Sequence, residues 1–169
     1  MNTSKFVLAT LLLAFAGAAS AQQAAQPARA PAQNPQAAQQ QLTPAQQALV
    51  ARQDAEMANA AAWVVQTVDK NNAAEVWRGA SPVAKNVVAV DEFVRQIALD
   101  RQKLGAVTDR KQAAITRTVY PAGGQVPAGN YVNVAYLTKF ANMPQPVREL
   151  VSFHMDDDKV WRVSGYSLR

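Results

Sequence analysis

The sequence is poor in the side chains that carry most covalent and metal chemistry: its 169 residues include no cysteine and only one histidine. Without cysteine the chain has no disulfide, no thiolate nucleophile, no cysteine-ligated zinc and no N-terminal cysteine for lipid attachment. It also lacks an uninterrupted apolar run of about 20 residues, which excludes a polytopic membrane protein. The remaining composition, 49% hydrophobic, suits one small globular domain.

The first residues have the pattern of a secretory signal peptide. Lys5 precedes an apolar run over 6–16, and Ala19-Ser20-Ala21 is the small-x-small pattern that signal peptidase accepts. The run is too short to cross a bilayer core, which favours cleavage after Ala21 over retention as an anchor. We therefore predict that residues 1–21 are a signal peptide and that the protein is periplasmic or extracellular, without a membrane span after cleavage.

Glutamine, alanine and proline dominate the segment that follows. Residues 22–41 hold eight Gln, seven Ala and three Pro, a composition with almost nothing to bury. The prolines also block a continuous helix. We predict a disordered tether over 22–42 and one folded domain over 43–169.

The charge of the folded part does not favour nucleic acid as a partner. From Leu42 onward there are fifteen basic and twelve acidic side chains. The densest basic stretch, over 101–111, contains Asp109 and has no interleaved aromatic residues. Such a stretch is typical of a solvated face rather than of a nucleic-acid interface.

The first half of the predicted domain has helical patterns. Thr43-Pro44-Ala45-Gln46 is a helix start, and an apolar stripe then runs through Leu49, Met57, Ala61, Val64 and Val68 to a break at Asp69. A short helix is predicted up to Trp77, and the chain restarts at Ser81-Pro82. Another amphipathic helix begins near Asp91 and stops at Gly105.

The second half has the alternating pattern of strands. We predict strands from Ile115 to Tyr120, from Tyr131 to Phe140, from Val147 to Met155 and from Val160 to Leu168, with a hairpin turn at 156–159. About three N-terminal helices packed on a curved, cone-like, four-stranded antiparallel sheet make an α+β domain.

A set of residues distributed over this domain resembles a known family. They are Ala62-Trp63, Val68-Asp69, Trp77, Ser81-Pro82, Phe93, Leu104-Gly105, Arg110, Gly129-Asn130-Tyr131, Phe140-Ala141-Asn142, Glu149 and Trp161-Arg162-Val163-Ser164-Gly165-Tyr166. In order and spacing they resemble the bacterial exported family catalogued as domain of unknown function 4019, over roughly 60–169. The closing strand is also similar to those of nuclear-transport-factor-2-like and cystatin-like folds. This likeness implies a curved sheet around a helix, with an apolar cavity in some members.

The usual catalytic and metal patterns are missing from the sequence. The single histidine, His154, is expected on the wetter face of its strand, and no nucleophile-elbow glycines lie near it. The Asp156-Asp157-Asp158 run is typical of a turn, because consecutive side chains diverge. No His or Cys cluster and no phosphate-binding glycine loop is present. We therefore predict no catalytic residue, no metal site and no cofactor.

Glu149 is the most informative position, because Val151 and Phe153 on its strand face are apolar. A lone carboxylate there needs a partner or water. If the face lines a cavity, Glu149 can meet Arg117, with Tyr136 and Trp161 as walls, and these four are the candidate ligand-binding residues. The alternative is a structural ion pair.

Tryptophan has a packing role in our interpretation. Trp63, Trp77 and Trp161 each lie in an amphipathic stretch, so core or cavity wall is expected for all three.

Three hypotheses for function remain open at the level of sequence. The first is an exported non-enzymatic domain that binds a small apolar or amphipathic ligand or an envelope protein. The second is an isomerase or hydratase with Glu149 as general base and Tyr136 as hydrogen-bond donor to an oxyanion. The third is a structural module associated with the envelope.

Overall fold

The computed structural model describes residues 42–169. The predicted signal peptide and all of the predicted tether except Leu42 lie outside the described residues. Within this range helices precede strands: α1 (Pro44–Asp69), α2 (Ala73–Arg78), α3 (Pro82–Lys85), α4 (Val90–Leu104), β1 (Val107–Tyr120), β2 (Gly129–Phe140), β3 (Val147–Met155) and β4 (Trp161–Leu168). The order confirms the α+β class, with two of the helices very short.

Helix α1 begins at the predicted capping box. The Thr43 hydroxyl accepts from the Gln46 amide at 3.3 Å, and the Gln46 side chain accepts from the Thr43 amide at 2.9 Å. Pro44 occupies the first helical turn, where its missing N–H costs nothing. The helix therefore starts where local chemistry alone places it.

The buried face of α1 is shorter than its apolar stripe. Met57, Ala61 and Val64 are buried as predicted, whereas Leu49 is 68% exposed. No residue of α1 before Met57 is buried, so the helical periodicity continues past the point where the helix meets the core. The expectation for Trp63 is also wrong, because its side chain is 47% exposed. Trp63 comes two positions after Ala61, and about 3.6 residues per turn direct its side chain away from the buried face.

The sheet is an open antiparallel meander in the order β1-β2-β3-β4. Its inner face packs on α1 through a core that includes Val132, Val134, Val151 and Phe153. The other face is called the outer face below. β1 begins at Val107, earlier than the predicted start at residue 115.

A β-bulge explains why the alternating sequence pattern does not indicate the early start of β1. The register of β1 on β2 shifts between Gln112 and Ala114, so the side-chain alternation changes phase there. As a result, Arg110 and Gln112 share the inner face with Ile115 and Arg117 despite the odd separation.

Candidate functional site

Glu149 lies at the centre of a buried hydrogen-bond cluster. Its side chain is 0% exposed, and its Oε2 accepts from Arg110 Nε and from the Thr138 hydroxyl, both at 2.6 Å. Its Oε1 accepts from the Tyr166 hydroxyl at 2.6 Å and from Arg110 Nη2 at 3.2 Å. The expectation that this carboxylate needs a partner is confirmed, and both oxygens are used within the protein.

Arg110 links Glu149 to the end of α1. Its Nη1 and Nη2 donate to the two oxygens of Asp69 at 2.7 and 2.9 Å, and Arg101 Nη2 lies 2.9 Å from the same carboxylate. The Arg101 guanidinium also lies over the Phe140 ring, 5.0 Å from its centroid. Two cations and two carboxylates thus tie α1, α4, β1 and β3 together.

This arrangement corrects the interpretation of 101–111 as a solvated face. The side chains of Arg101 and Arg110 are only 11% and 14% exposed. Their carboxylate partners offset the lost hydration of the guanidinium groups, except at Nη1 of Arg101, which is buried without a hydrogen-bond partner. The basic density of this stretch is therefore partly structural.

The cluster changes the pKa of its neighbours in a consistent direction. Burial raises the pKa of Tyr166, and the negative charge of Glu149 raises it further. Burial and Glu149 also raise the pKa of Tyr136. Burial alone lowers the pKa of Arg110, but its bonds to Asp69 and Glu149 outweigh this and raise it. The site therefore stabilises the neutral form of both tyrosines and the charged form of Arg110.

The structure brings together only part of the predicted ligand-binding set. Tyr136 lies directly opposite Glu149 across β2 and β3. The suggested meeting of Glu149 with Arg117 is wrong, because Arg117 donates to Gln53 at 2.9 Å and to Asp54 at 2.7 Å on α1.

Trp161 lies away from Glu149 along the sheet. It is partly buried against the core and opposite Met155, at the far end of β3.

A separate apolar pocket lies where α2, α3 and α4 approach β4 and the β1–β2 loop. Its volume is about 270 Å³. Apolar and aromatic side chains dominate its lining: Trp77, Ala80, Val83, Ala84, Val87, Val88, Phe93, Val126, Pro127, Tyr131, Val163 and Tyr166, with Ser164 and Gly165. None of the four predicted ligand-binding residues belongs to this lining. The pocket is formed by aromatic residues that are far apart in sequence, so the periodicity of single elements could not predict it.

The hydroxyls of the two lining tyrosines are already bonded within the protein. The Tyr131 hydroxyl donates to the Pro127 carbonyl at 2.9 Å, and the Tyr166 hydroxyl donates to Glu149. The Trp77 and Phe93 rings pack with centroids 5.1 Å apart. The pocket therefore presents mainly ring surfaces and aliphatic groups. The hydroxyl of Ser164, also in the lining, is buried without a hydrogen-bond partner.

The edge of β4 beside this pocket is blocked against strand pairing. The Ser81 amide donates to the Val163 carbonyl at 2.8 Å. The register on β3 then shifts between Ser152 and Phe153, which leaves Ser164 as an extra residue in β4. Both features disrupt the regular edge that an added strand needs.

The single histidine belongs to a polar cluster at the other end of β3. His154 is 6% exposed, which corrects its expected place on a wet face. Its Nδ1 lies 2.8 Å from Asp156 Oδ1, and the Ser81 hydroxyl donates to that same oxygen at 2.5 Å. The 121–128 loop covers the ring, with the Ala128 carbonyl 3.4 Å from Nε2.

This cluster contains the serine, histidine and aspartate of a catalytic triad, but the hydrogen bonds connect them in a different order. In a catalytic triad the serine bonds the histidine, whereas here Ser81 and His154 both bond Asp156. Arg162 completes the site by donating to Asp156 at 2.9 Å and to Asp158 at 2.7 Å. The predicted turn at 156–158 is thus fixed by ion pairs, and across residues 42–169 no group of acids and histidine has metal-site geometry.

The ion pairs of Arg162 make the stability of the fold depend on pH in the acid range. Its bond holds the pKa of Asp158 at about 2. Despite burial, bonds from Ser81, His154 and Arg162 also lower the pKa of Asp156. Because the unfolded pKa is near 4, the ion pairs stabilise the fold above about pH 4 and lose this effect towards pH 2.

We expect Arg162→Met to flatten the fall in unfolding free energy between about pH 4 and 2. Urea denaturation at a series of pH values measures the slope. Arg52→Met, which removes an exposed pair with Glu56, is the control and should leave the slope unchanged. An equal slope for Arg162→Met and the unmodified chain would contradict the assignment.

The fold and these clusters define a class: an α+β domain in which four helices pack on an open four-stranded sheet over residues 42–169. The chain belongs to the family described as protein of unknown function (DUF4019), whose model matches residues 59–166. This match confirms the resemblance inferred from the sequence. A comparison with curated proteins gives no match. Among the helices described, none is long and apolar enough to cross a membrane.

Proposed function

We propose that this protein is an exported, non-enzymatic domain that binds a small apolar or amphipathic ligand in the pocket beside β4. The observation that carries the proposal is a cavity of about 270 Å³ lined by aromatic rings and aliphatic side chains. Export rests on the signal-peptide pattern of residues 1–21 and makes the periplasm the expected compartment.

The size of the pocket limits the ligand. A cavity of roughly 150 Å³ holds one benzene ring in a well-studied protein. The present pocket is less than twice that size, so it suits a two-ring molecule or a short alkyl chain. Because the tyrosine hydroxyls are engaged internally, shape and burial of apolar surface supply the affinity.

A small molecule suits this site better than a protein segment. The Ser81–Val163 bond and the extra residue Ser164 interrupt the edge of β4, so a peptide cannot continue the sheet there. The enzymatic alternative lacks an accessible base, because Glu149 is 0% exposed and both of its oxygens accept hydrogen bonds. The geometry thus favours storage or carriage of a ligand over its conversion.

Substitution at the rim of the pocket tests the proposal. Val87 lines the pocket but is 74% exposed, so Val87→Asn removes apolar contact without opening the core. We expect about a three- to tenfold weaker affinity for the neutral fluorescent probe N-phenyl-1-naphthylamine. A fluorescence titration measures it.

Leu49→Asn is the matched control, because Leu49 is a 68% exposed residue of α1 outside the pocket lining. It should bind the probe as the unmodified chain does. Equal loss in both variants, or no binding by the unmodified chain, would remove the support for this pocket as a ligand site.

A further inference from the structure

The positive charge of the described chain is unevenly compensated. Ion pairs satisfy most arginines on the helices and in the two buried clusters. The basic side chains without an acidic partner within the described residues are Lys70, Lys85, Lys103, Lys139, Arg148, Lys159 and Arg169. Three of these lie at one end of the outer face of the sheet.

Strand register places two of them, Arg148 and Arg169, in one row with Lys111. Lys111 lies opposite Leu137, and Leu137 lies opposite Arg148. Arg148 and Arg169 exchange backbone hydrogen bonds at 2.8 and 2.9 Å, so their side chains share a face. With strands about 4.8 Å apart, the row extends roughly 14 Å across the sheet.

Lys139 lies on the same face, two residues beyond Leu137 on β2. We call Lys111, Leu137, Lys139, Arg148 and Arg169 the basic face. The acidic group nearest by register is Asp109, which lies opposite Lys139 and is 4.0 Å from Lys111 Nζ. Asp100 of α4 also lines a groove with Arg169, but Lys103 lines the same groove and balances its charge. The basic face therefore keeps a net positive charge.

An exposed apolar side chain lies among these charges. Leu137 is 50% exposed, with a cation on either side of it in the row. Met143, on the adjacent β2–β3 turn, is 40% exposed. Cations with an apolar residue between them are typical of surfaces that bind anionic headgroups and insert a side chain at the acyl boundary.

We propose that the basic face binds an anionic lipid surface. The four cations attract the headgroups, and Leu137 enters the interface between headgroups and acyl chains. A nucleic acid fits this face less well, because single-strand binding needs accessible stacking rings. The two tyrosines of this face, buried Tyr131 and half-buried Tyr120, pack edge to face on each other at the opposite end. This surface is separate from the apolar pocket and does not depend on its ligand.

Vesicle co-sedimentation with the protein recovered from a bacterial host tests the proposal. We expect binding to phosphatidylcholine vesicles that contain about one-third phosphatidylglycerol, with loss of binding at high salt. Lys139→Gln combined with Arg148→Gln should weaken it about tenfold or more. The control combines Lys85→Gln with Lys159→Gln, which removes the same amount of charge at positions outside the basic face. It should weaken vesicle binding less than about threefold.

Leu137→Ser separates a lipid surface from other polyanions. This variant removes the apolar side chain, so it should weaken vesicle binding. It keeps every charge, so binding to heparin should be unchanged. Equal effects of the two charge-neutralising pairs, or no binding by the unmodified chain, would overturn the proposal. Full vesicle binding by Leu137→Ser would overturn the proposed entry of Leu137 into the interface between headgroups and acyl chains.

Discussion

Arg110→Met is expected to lower the free energy of unfolding by about 3–5 kcal/mol, because it leaves Glu149 charged and buried without a cation. The substitution removes four donated hydrogen bonds, two to Glu149 and two to Asp69. Thr138 and Tyr166 still donate to the carboxylate, but neutral hydroxyls do not offset its charge. Chemical denaturation measures the loss.

An exposed arginine with a similar pair provides the control. Arg95 donates to both oxygens of Glu92 on α4, where the two side chains are 59% and 49% exposed. Arg95→Met should therefore cost less than about 1 kcal/mol.

The double variant Arg110→Met with Glu149→Met should be more stable than Arg110→Met alone, because it removes the uncompensated charge. A cost for Arg110→Met as small as that for Arg95→Met would show that the buried cluster is not needed to hold α1 on the sheet.

Gly129→Ala is expected to destabilise the fold by about 2–4 kcal/mol. Gly129 has φ 143°, a conformation that side chains rarely adopt. A Cβ built there would overlap Nε2 of His154, whose ring is fixed by Asp156 and covered by the Ala128 carbonyl. The strain and the overlap act together, so the β1–β2 loop should lose its contact with His154.

Gly123→Ala separates backbone strain from overlap. Gly123 has φ 86°, but a Cβ there meets nothing within 4 Å. It should cost about 1 kcal/mol, from conformation alone. Thermal unfolding of both variants gives the comparison. If the two cost the same, close packing of Gly129 on His154 does not contribute to stability.

Much of the fold was predictable because its patterns are local. The capping box at Thr43 and Pro44, the stop at Gly105 and the turn at 156–159 each depend on residues next to one another in sequence. The failures arose where tertiary contacts decide. Leu49 has the correct period for burial, but no residue of α1 before Met57 is buried.

The partner of Glu149 was missed because of one extra residue in β1. The bulge between Gln112 and Ala114 changes the phase of the strand, so Arg110 and Arg117 point to the same face. Alternation traced back from Ile115 places Arg110 on the opposite face. The need of Glu149 for a cation was thus predictable, whereas the identity of that cation required the register.

The apolar pocket could not be derived from any single pattern. Its lining comes from three helices, three loops and two strands, and the deciding feature is where aromatic rings such as Trp77 and Tyr131 meet. The likeness to nuclear-transport-factor-2-like and cystatin-like folds implied an apolar cavity, but it named no lining residue. That likeness stays a prediction.

Native mass spectrometry of the protein recovered from a bacterial host tests the proposed ligand binding most directly. The account predicts a chain that begins at Gln22 and carries an additional non-covalent mass, reduced in Val87→Asn but retained in Leu49→Asn. A bare chain that also fails to take up added N-phenyl-1-naphthylamine would contradict the claim that the pocket beside β4 is a ligand site.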